Sequence, residues 1–242
     1  MIFRILTLFP EVLDPYIHSS IIGRSVEEKQ IEISLINFRD YSDNKHNRVD
    51  DTSYGGGPGM VLQCDPLYRA IKSVHKDGSR LIFLTPQGSL FNQQKAEELA
   101  QEDELILVSG HYEGFDHRIF ELFDHEKISI GDYILTNGGL AALVLLDCVA
   151  RTKNEVLNNP ESLTEESFSN GLLEYSQYTK PSEFMGIKVP DVLLGGHHKE
   201  IERWRRRSSL VNTLKTRPEL LEDVALSWDD LEFLVSYITE TI

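Results

Sequence analysis

Three apolar runs that lack polar alternation, each closing on a loop of small and polar residues, constrain this chain most. Leu81-Ile82-Phe83-Leu84 leads into Thr85-Pro86-Gln87-Gly88, Leu105-Ile106-Leu107-Val108 into Ser109-Gly110-His111-Tyr112-Glu113-Gly114, and Ile128-Ser129-Ile130 into Gly131-Asp132-Tyr133 and Asn137-Gly138-Gly139. Short runs of Val, Ile and Leu without alternation suit strands covered on both faces of a parallel sheet. Helices fit between them. Asp65-Pro66 reads as an N-cap followed by proline at the first helical position, giving a helix over Leu67 to Val74, and Asn92 caps Gln93 to Gln101. The resulting β-α-β rhythm is that of an open α/β sheet, whose ligands sit where strand carboxyl ends meet such loops. Glycines there let backbone donors approach a ligand, although tight turns use the same residues.

Earlier in the chain, Ile2 to Leu8 and Ile31 to Phe38 read as strands, with Phe9-Pro10-Glu11 opening a helix. From Arg39 to Gly59 the chain turns polar and then glycine-rich, a length without periodicity that is either functional or a mobile surface loop. Leu140 to Ala150, closed by Arg151, is apolar on almost every side, which predicts burial against its own core or a second subunit. Cys64 and Cys148, the two cysteines, form no disulfide framework or zinc spacing and read as small core residues in a reducing compartment. No apolar run approaches a membrane span and no signal peptide opens the chain, so the expectation is a cytoplasmic protein without a membrane partner.

The character changes from Lys153 to Lys180, where polar residues dominate and a linker is expected. The predicted organisation is an α/β domain over 1–157, a linker over 158–180 and a helical domain over 181–242. Between His197 and Arg217, seven Lys or Arg face two Glu in a chain whose net charge is -15. A polyanion partner would need such a local patch. Ile201, Trp204, Val211 and Leu214 recur near helical spacing and should face the core, leaving the arginines outward or pairing with an acidic surface. Ser227 with Asp230 reads as a box-like start for a last helix.

Familiar nucleotide and hydrolase motifs are missing. No G-x-G-x-x-G follows a strand, Gly55-Gly56-Gly57-Pro58-Gly59 lacks the Lys-Ser/Thr of a phosphate loop, no Gly-x-Ser-x-Gly is present, and the histidines have no metal spacing. A different set of blocks is specific. Phe9-Pro10-Glu11, Asn44-Lys45-His46 with Val49-Asp50-Asp51, Tyr54 to Met60, Gly110 to Gly114, Ser129 to Tyr133, and Leu194 to His198 with Trp204-Arg205 together resemble the bacterial tRNA (guanine-N1)-methyltransferase family, from the first strand to the last helix.

The resemblance implies an α/β domain with a deep C-terminal trefoil knot of the SPOUT type, a small all-helical C-terminal domain, and a homodimer. It implies methyl transfer from S-adenosylmethionine to N1 of the guanine immediately 3' of the anticodon in tRNA. The alternatives are a ribose 2'-O methyltransferase of the same knotted superfamily and a tRNA-binding protein without catalysis. Cofactor contacts carry over onto Thr85, Pro86, Gln87, Gly88, Gly110, Tyr112, Glu113, Ile130, Gly131, Asp132, Tyr133, Ile134, Leu135 and Gly138. A need for magnesium is implied as well, with no protein metal site predicted.

Methylating guanine N1 requires a base to take its proton and a cation beside the charge that moves to O6. The family's cation falls on Arg151. Its base, an aspartate in an Asp-Ser-Phe triplet, falls on Glu166 of Glu166-Ser167-Phe168, which places the carboxylate one C–C bond, about 1.5 Å, farther from the backbone. Glu165 is the alternative base, and a solvated acidic pair the plain one. Asn137 replaces a glycine and Ala141 a proline beside the third loop. Expected tRNA contacts are Arg203, Arg205, Arg206 and Arg207 on phosphates, Lys45, His46 and Arg48 as a second zone near the target base, and Asp50 and Ser167 as further RNA-binding residues.

Overall fold

The computed structural model describes residues 1–76, 78–153, 156 and 166–241. The chain divides into two compact units, Met1–Asn158 and Asn159–Ile242. In the first, β1 (Ile2–Thr7), β2 (Glu32–Asn37), β5 (Arg80–Leu90), β6 (Glu104–Ser109) and β7 (Glu126–Ser129) form one sheet in the order β2-β1-β6-β5-β7. Every neighbouring pair in it is parallel. A short antiparallel pair, β3 (Asp50–Asp51) with β4 (Val61–Leu62), lies outside this sheet.

The central strands carry apolar residues on both faces because both are covered, with Arg4 of β1 paired to Glu104 of β6 as the charged exception. Phe3, Ile5, Ile82, Leu84, Leu105 and Leu107 share one core with α1 (Pro10–Ile17), α2 (Ser20–Glu27), α4 (Gln93–Leu99) and α5 (Gly139–Arg151). Their alternates Leu6, Leu81, Phe83, Ile106 and Val108 pack on the other face with α3 (Cys64–Val74). Asn92 caps α4 as predicted, accepting from Lys95 N at 2.9 Å. At α3 the start differs: Gln63 is the N-cap without a side-chain cap bond, and Asp65 and Pro66 fall inside the first turn. Acid and proline are favourable there too, so the residues were informative and the register was not.

The second unit holds α6 (His198–Thr216) and α7 (Trp228–Thr241) around Leu172, Leu210 and Leu234. It is not all-helical. β8 (Glu183–Phe184) pairs antiparallel with β9 (Ile187–Lys188) across a two-residue turn in which Met185 and Gly186 both take positive φ, 52° and 82°. Ser227 and Asp230 form the reciprocal box at the start of α7, each backbone N donating to the other's side chain, at 3.0 and 3.2 Å. Among the described residues no helix is long and apolar enough to cross a membrane.

Candidate active site

Three loops converge at the carboxyl ends of β5, β6 and β7. In β5, Leu84 pairs with Ile128 of β7 and so does Ser89, so residues 85–88 bulge out and the strand resumes beyond them. After β6, the turn from His111 closes by Gly114 N donating to His111 O at 3.1 Å, and Glu113 N donates to Met60 O at 2.9 Å. Tyr112 at its tip takes φ 56°, a left-handed conformation that is costly for an aromatic residue. The third loop runs from Ile130 to Gly138, with Tyr133 OH donating to Ile130 O at 3.1 Å. Gly138 N donates to Gly110 O at 2.7 Å, and a Cβ on Gly138 would lie 2.7 Å from Gly110 N. The second and third loops therefore meet backbone to backbone, and only glycine permits it.

Between the loops lies a cavity of about 320 Å³. Of the residues that the resemblance implies as cofactor contacts, Thr85, Pro86, Gln87, Gly110, Tyr112, Glu113, Ile130, Gly131, Tyr133, Ile134, Leu135 and Gly138 line it. Gly88 and Asp132 do not. Gly88 is pressed onto β7, where a Cβ would meet Ile128 N at 2.3 Å, and Asp132 is an exposed residue within the third loop. Residue patterns missed Leu84, Phe115 and Ile128, which form apolar wall, and His111, which sits inside a motif already singled out. Asn137 and Ala141 also line the cavity. Asn137 Oδ1 accepts from Gly139 N at 2.8 Å, so this substitution supplies a cap to the first residue of α5.

The chemistry of the lining suits an adenosyl group with a charged tail. Aliphatic side chains offer faces for a purine, exposed backbone groups offer edge contacts, and the Glu113 carboxylate suits a cation. Among the described residues His111 Nδ1 is buried there without a hydrogen-bond partner. Burial first, and the Arg39 charge second, pull its pKa below the usual histidine value against weaker opposite pulls from the Thr136 backbone and Asp50. This environment favours the neutral imidazole, which can accept at one ring nitrogen and donate at the other.

Arg151 ends α5 in the first unit, half-buried. Glu166 belongs to the second unit, in a turn tied to α6. Ser169 Oγ donates to Glu166 O at 2.9 Å, Phe168 N to Leu172 O at 2.7 Å, and Glu174 N to Ser167 Oγ at 3.0 Å. From there Leu173 N donates to Thr213 Oγ1 at 3.0 Å, Asn212 Nδ2 to Glu174 O at 3.0 Å, and Ser176 N to Ser208 Oγ at 2.9 Å. The stretch read as linker is thus hydrogen-bonded along α6 over residues 173–176, with the turn over 166–172 closed on itself and joined to it. Glu166 edges a hollow of about 210 Å³ with Asn170, Tyr175, Glu202 and Arg205. Glu165 and the expected boundary at 157 lie outside the described residues.

Lys45, His46 and Arg48 are exposed on the first unit, and Asp50 is half-buried in β3. On α6, Arg203 is exposed, 3.7 Å from Asp229, whereas Arg205, Arg206 and Arg207 are half-buried rather than outward. Arg205 covers the Tyr175 ring at 4.6 Å and Arg207 the Phe233 ring at 4.7 Å. Arg206 grips Asp230 with two bonds of 3.1 and 3.0 Å.

Comparison with known proteins matches the tRNA (Guanine-1)-methyltransferase TrmD family model over residues 1–223. A tRNA (guanine-N(1)-)-methyltransferase of Halalkalibacterium halodurans is 51% identical over 234 residues, covering 96% of this chain and 95% of that protein. Proteins of the same description from Pelotomaculum thermopropionicum and Caldanaerobacter subterraneus are 52% and 50% identical, covering 95% and 97% of this chain and 93% and 97% of theirs. With a cavity of suitable lining at the ends of three parallel strands and relatives matched along nearly their whole length, the chain belongs to the tRNA (guanine-1)-methyltransferase TrmD family.

Proposed function

We propose that this chain transfers a methyl group from S-adenosylmethionine to N1 of the guanine immediately 3' of the anticodon in tRNA, acting as a cytoplasmic homodimer of knotted subunits. The observation that carries the reading is the three-loop cavity, whose apolar walls, backbone edges and Glu113 carboxylate fit the cofactor. When bound, S-adenosylmethionine supplies an electrophilic methyl group. Thr85 to Gln87, Gly110 to Glu113 and Ile130 to Gly138 hold it.

Glu166 takes the proton from guanine N1 and frees the lone pair for attack. Arg151 compensates the negative charge that moves onto O6. The assignment of both rests on their match to the family's catalytic pair, as does the closing of one subunit's Glu166 segment over the other's cavity. The turn that ties Glu166 to α6 favours a base presented from a fixed platform, so the extra methylene need not be absorbed by a floppy linker. Lys45, His46, Arg48, Asp50, Ser167 and the α6 arginines position the RNA, and a dependence on magnesium is expected of the reaction in solution.

Single-turnover transfer of labelled methyl to tRNA tests this reading. Glu166→Gln should lose at least about a hundredfold in rate, the usual worth of a general base, while Glu166→Asp retains activity. Full activity of Glu166→Gln removes the assignment to Glu166, and loss in Glu165→Gln instead would move it there. Methylation that survives replacement of the target guanine favours the ribose reaction. Binding of tRNA without any transfer favours a non-catalytic protein.

A further inference from the structure

We propose that Arg39, Phe9 and His111 form a positioning column that holds Tyr112 at the mouth of the cavity and ties it to the loop from Asn44 to Val49. The Arg39 guanidinium lies 6.0 Å from the Phe9 ring centroid. Phe9 meets the His111 ring edge to face at 5.1 Å and 69°, and His111 meets Tyr112 the same way at 4.3 Å and 68°. At the far end, Arg39 Nη1 donates to Asn47 O at 3.4 Å. A continuous line of side chains thus runs from the backbone of an exposed loop to a residue of the cavity wall.

Each member is fixed on its own element. Arg39 N donates to Asn37 Oδ1 at 3.0 Å in the short turn after β2, and Phe9 N donates to Thr7 Oγ1 at 3.2 Å at the end of β1. Among the described residues His111 Nδ1 has no hydrogen-bond partner, so the imidazole is oriented by the rings either side of it together with a hydrogen bond to the Thr136 backbone. Tyr112 ends the column. Its backbone is held at φ 56° by the turn's own hydrogen bonds, and its ring, 42% exposed, has the His111 ring as its aromatic neighbour at 4.3 Å. If Asn47 moves when Lys45, His46 and Arg48 engage phosphate, the only side chain bonded to its carbonyl among the described residues is Arg39, and the displacement reaches the cavity through Phe9 and His111.

The inference rests on the reading of the cavity as the cofactor site and of the loop as an RNA contact. It assigns Phe9 and Arg39, which touch neither ligand in that reading, a positioning role that couples the two. The test measures tRNA affinity of the full-length protein with and without saturating S-adenosylhomocysteine. In the unaltered protein the product should tighten tRNA about fivefold or more, and in Arg39→Gln and Phe9→Leu that ratio should fall to about one while affinity for tRNA alone stays within about twofold. Phe9→Tyr, which keeps an aromatic face, should restore the ratio. A general loss of fold cannot imitate this pattern, and Arg39→Gln carries the test should Phe9→Leu fail to fold. Binding of both ligands with no coupling in the unaltered protein, or with coupling kept in both variants, overturns the column. Failure of the unaltered protein to bind either ligand overturns the methyltransferase reading instead.

Discussion

Asp230 shows how much one side chain in the second unit carries. It accepts both bonds of the Arg206 guanidinium and also closes the box with Ser227 that starts α7. Arg206 beside it pulls its carboxyl well below the ordinary range, to about 2. A carboxylate whose pKa is lower folded than unfolded contributes stability that is complete above about pH 4 and is lost as pH falls from there toward 2. Asp230→Ala should therefore destabilise the second unit by about 2 kcal/mol at neutral pH, combining a lost cap with a lost ion pair discounted for the half-exposed Arg206. Asp230→Asn keeps an acceptor for the helix start and should cost less. Trp204 and Trp228, the two tryptophans, both lie in this unit, so fluorescence during urea unfolding reads it selectively. Equal midpoints for Asp230→Ala and the unaltered protein would show that the pair and the box contribute nothing. The same pairing bears on RNA binding: replacing Arg206 frees a buried acid as well as removing a cation, so Arg203 is the cleaner site at which to test phosphate contact.

Elements were legible where one local rule decides them. The both-faced apolar strands announced a covered parallel sheet, Asn92 its helix, and Ser227 with Asp230 theirs, because each signal lies within a few residues of its effect. The strand that passes through Thr85 to Gly88 and resumes at Ser89 was not legible, since Pro86 and Gly88 break every strand pattern and the resumption is held by Ile128, forty residues on. On α6, Leu214 of the expected stripe packs against the core, but that core centres on Leu210 with Thr213 fully buried, and Ile201, Trp204 and Val211 are only half-buried outside it. Ser208, Asn212 and Thr213 spend their polar groups on the backbone of residues 173–176, a use that apolar periodicity cannot register. Within the site, Gly88 carried the right residue type for a ligand loop but serves strand packing, and Asn137, legible only as a departure from the family, accepts from the first backbone N of α5 from one residue before the N-cap Gly138. Asn137→Ala should lower stability by about 1 kcal/mol and raise the KM for the methyl donor with a smaller effect on kcat, since it loosens a cavity wall and no reacting group. Thermal melting and steady-state kinetics measure both, and a change in kcat alone would assign Asn137 a part in the chemistry.

At the scale of the whole molecule the question is what covers α5. Ala141, Ala142, Leu145, Leu146, Val149 and Ala150 are buried in the first unit, but Leu140 and Val144 are 48% and 43% exposed, and Val12 of α1 is exposed as well. Tyr16 bridges the two helices, its OH donating to Asp147 at 2.6 Å, which together with burial and the Asp147 charge pushes the phenol pKa up to about 12 and keeps it a neutral donor. A chain of net charge -15 repels its own copies, yet that repulsion is screened beyond about 10 Å at 0.1 M salt, whereas burying apolar side chains is insensitive to salt. An association through the α1–α5 face should therefore survive about 1 M salt and fail when a charge is placed in it. Val144→Glu is expected to sediment as a monomer where the unaltered protein and Val144→Leu sediment as dimers. If the base of one subunit serves the cavity of the other, as proposed, methyl transfer should fall in parallel with the dimer fraction, and mixing Val144→Glu with unaltered subunits should not restore it. A monomeric Val144→Glu with undiminished transfer would confine the reaction to a single chain, and a dimeric one would put the contact on another face.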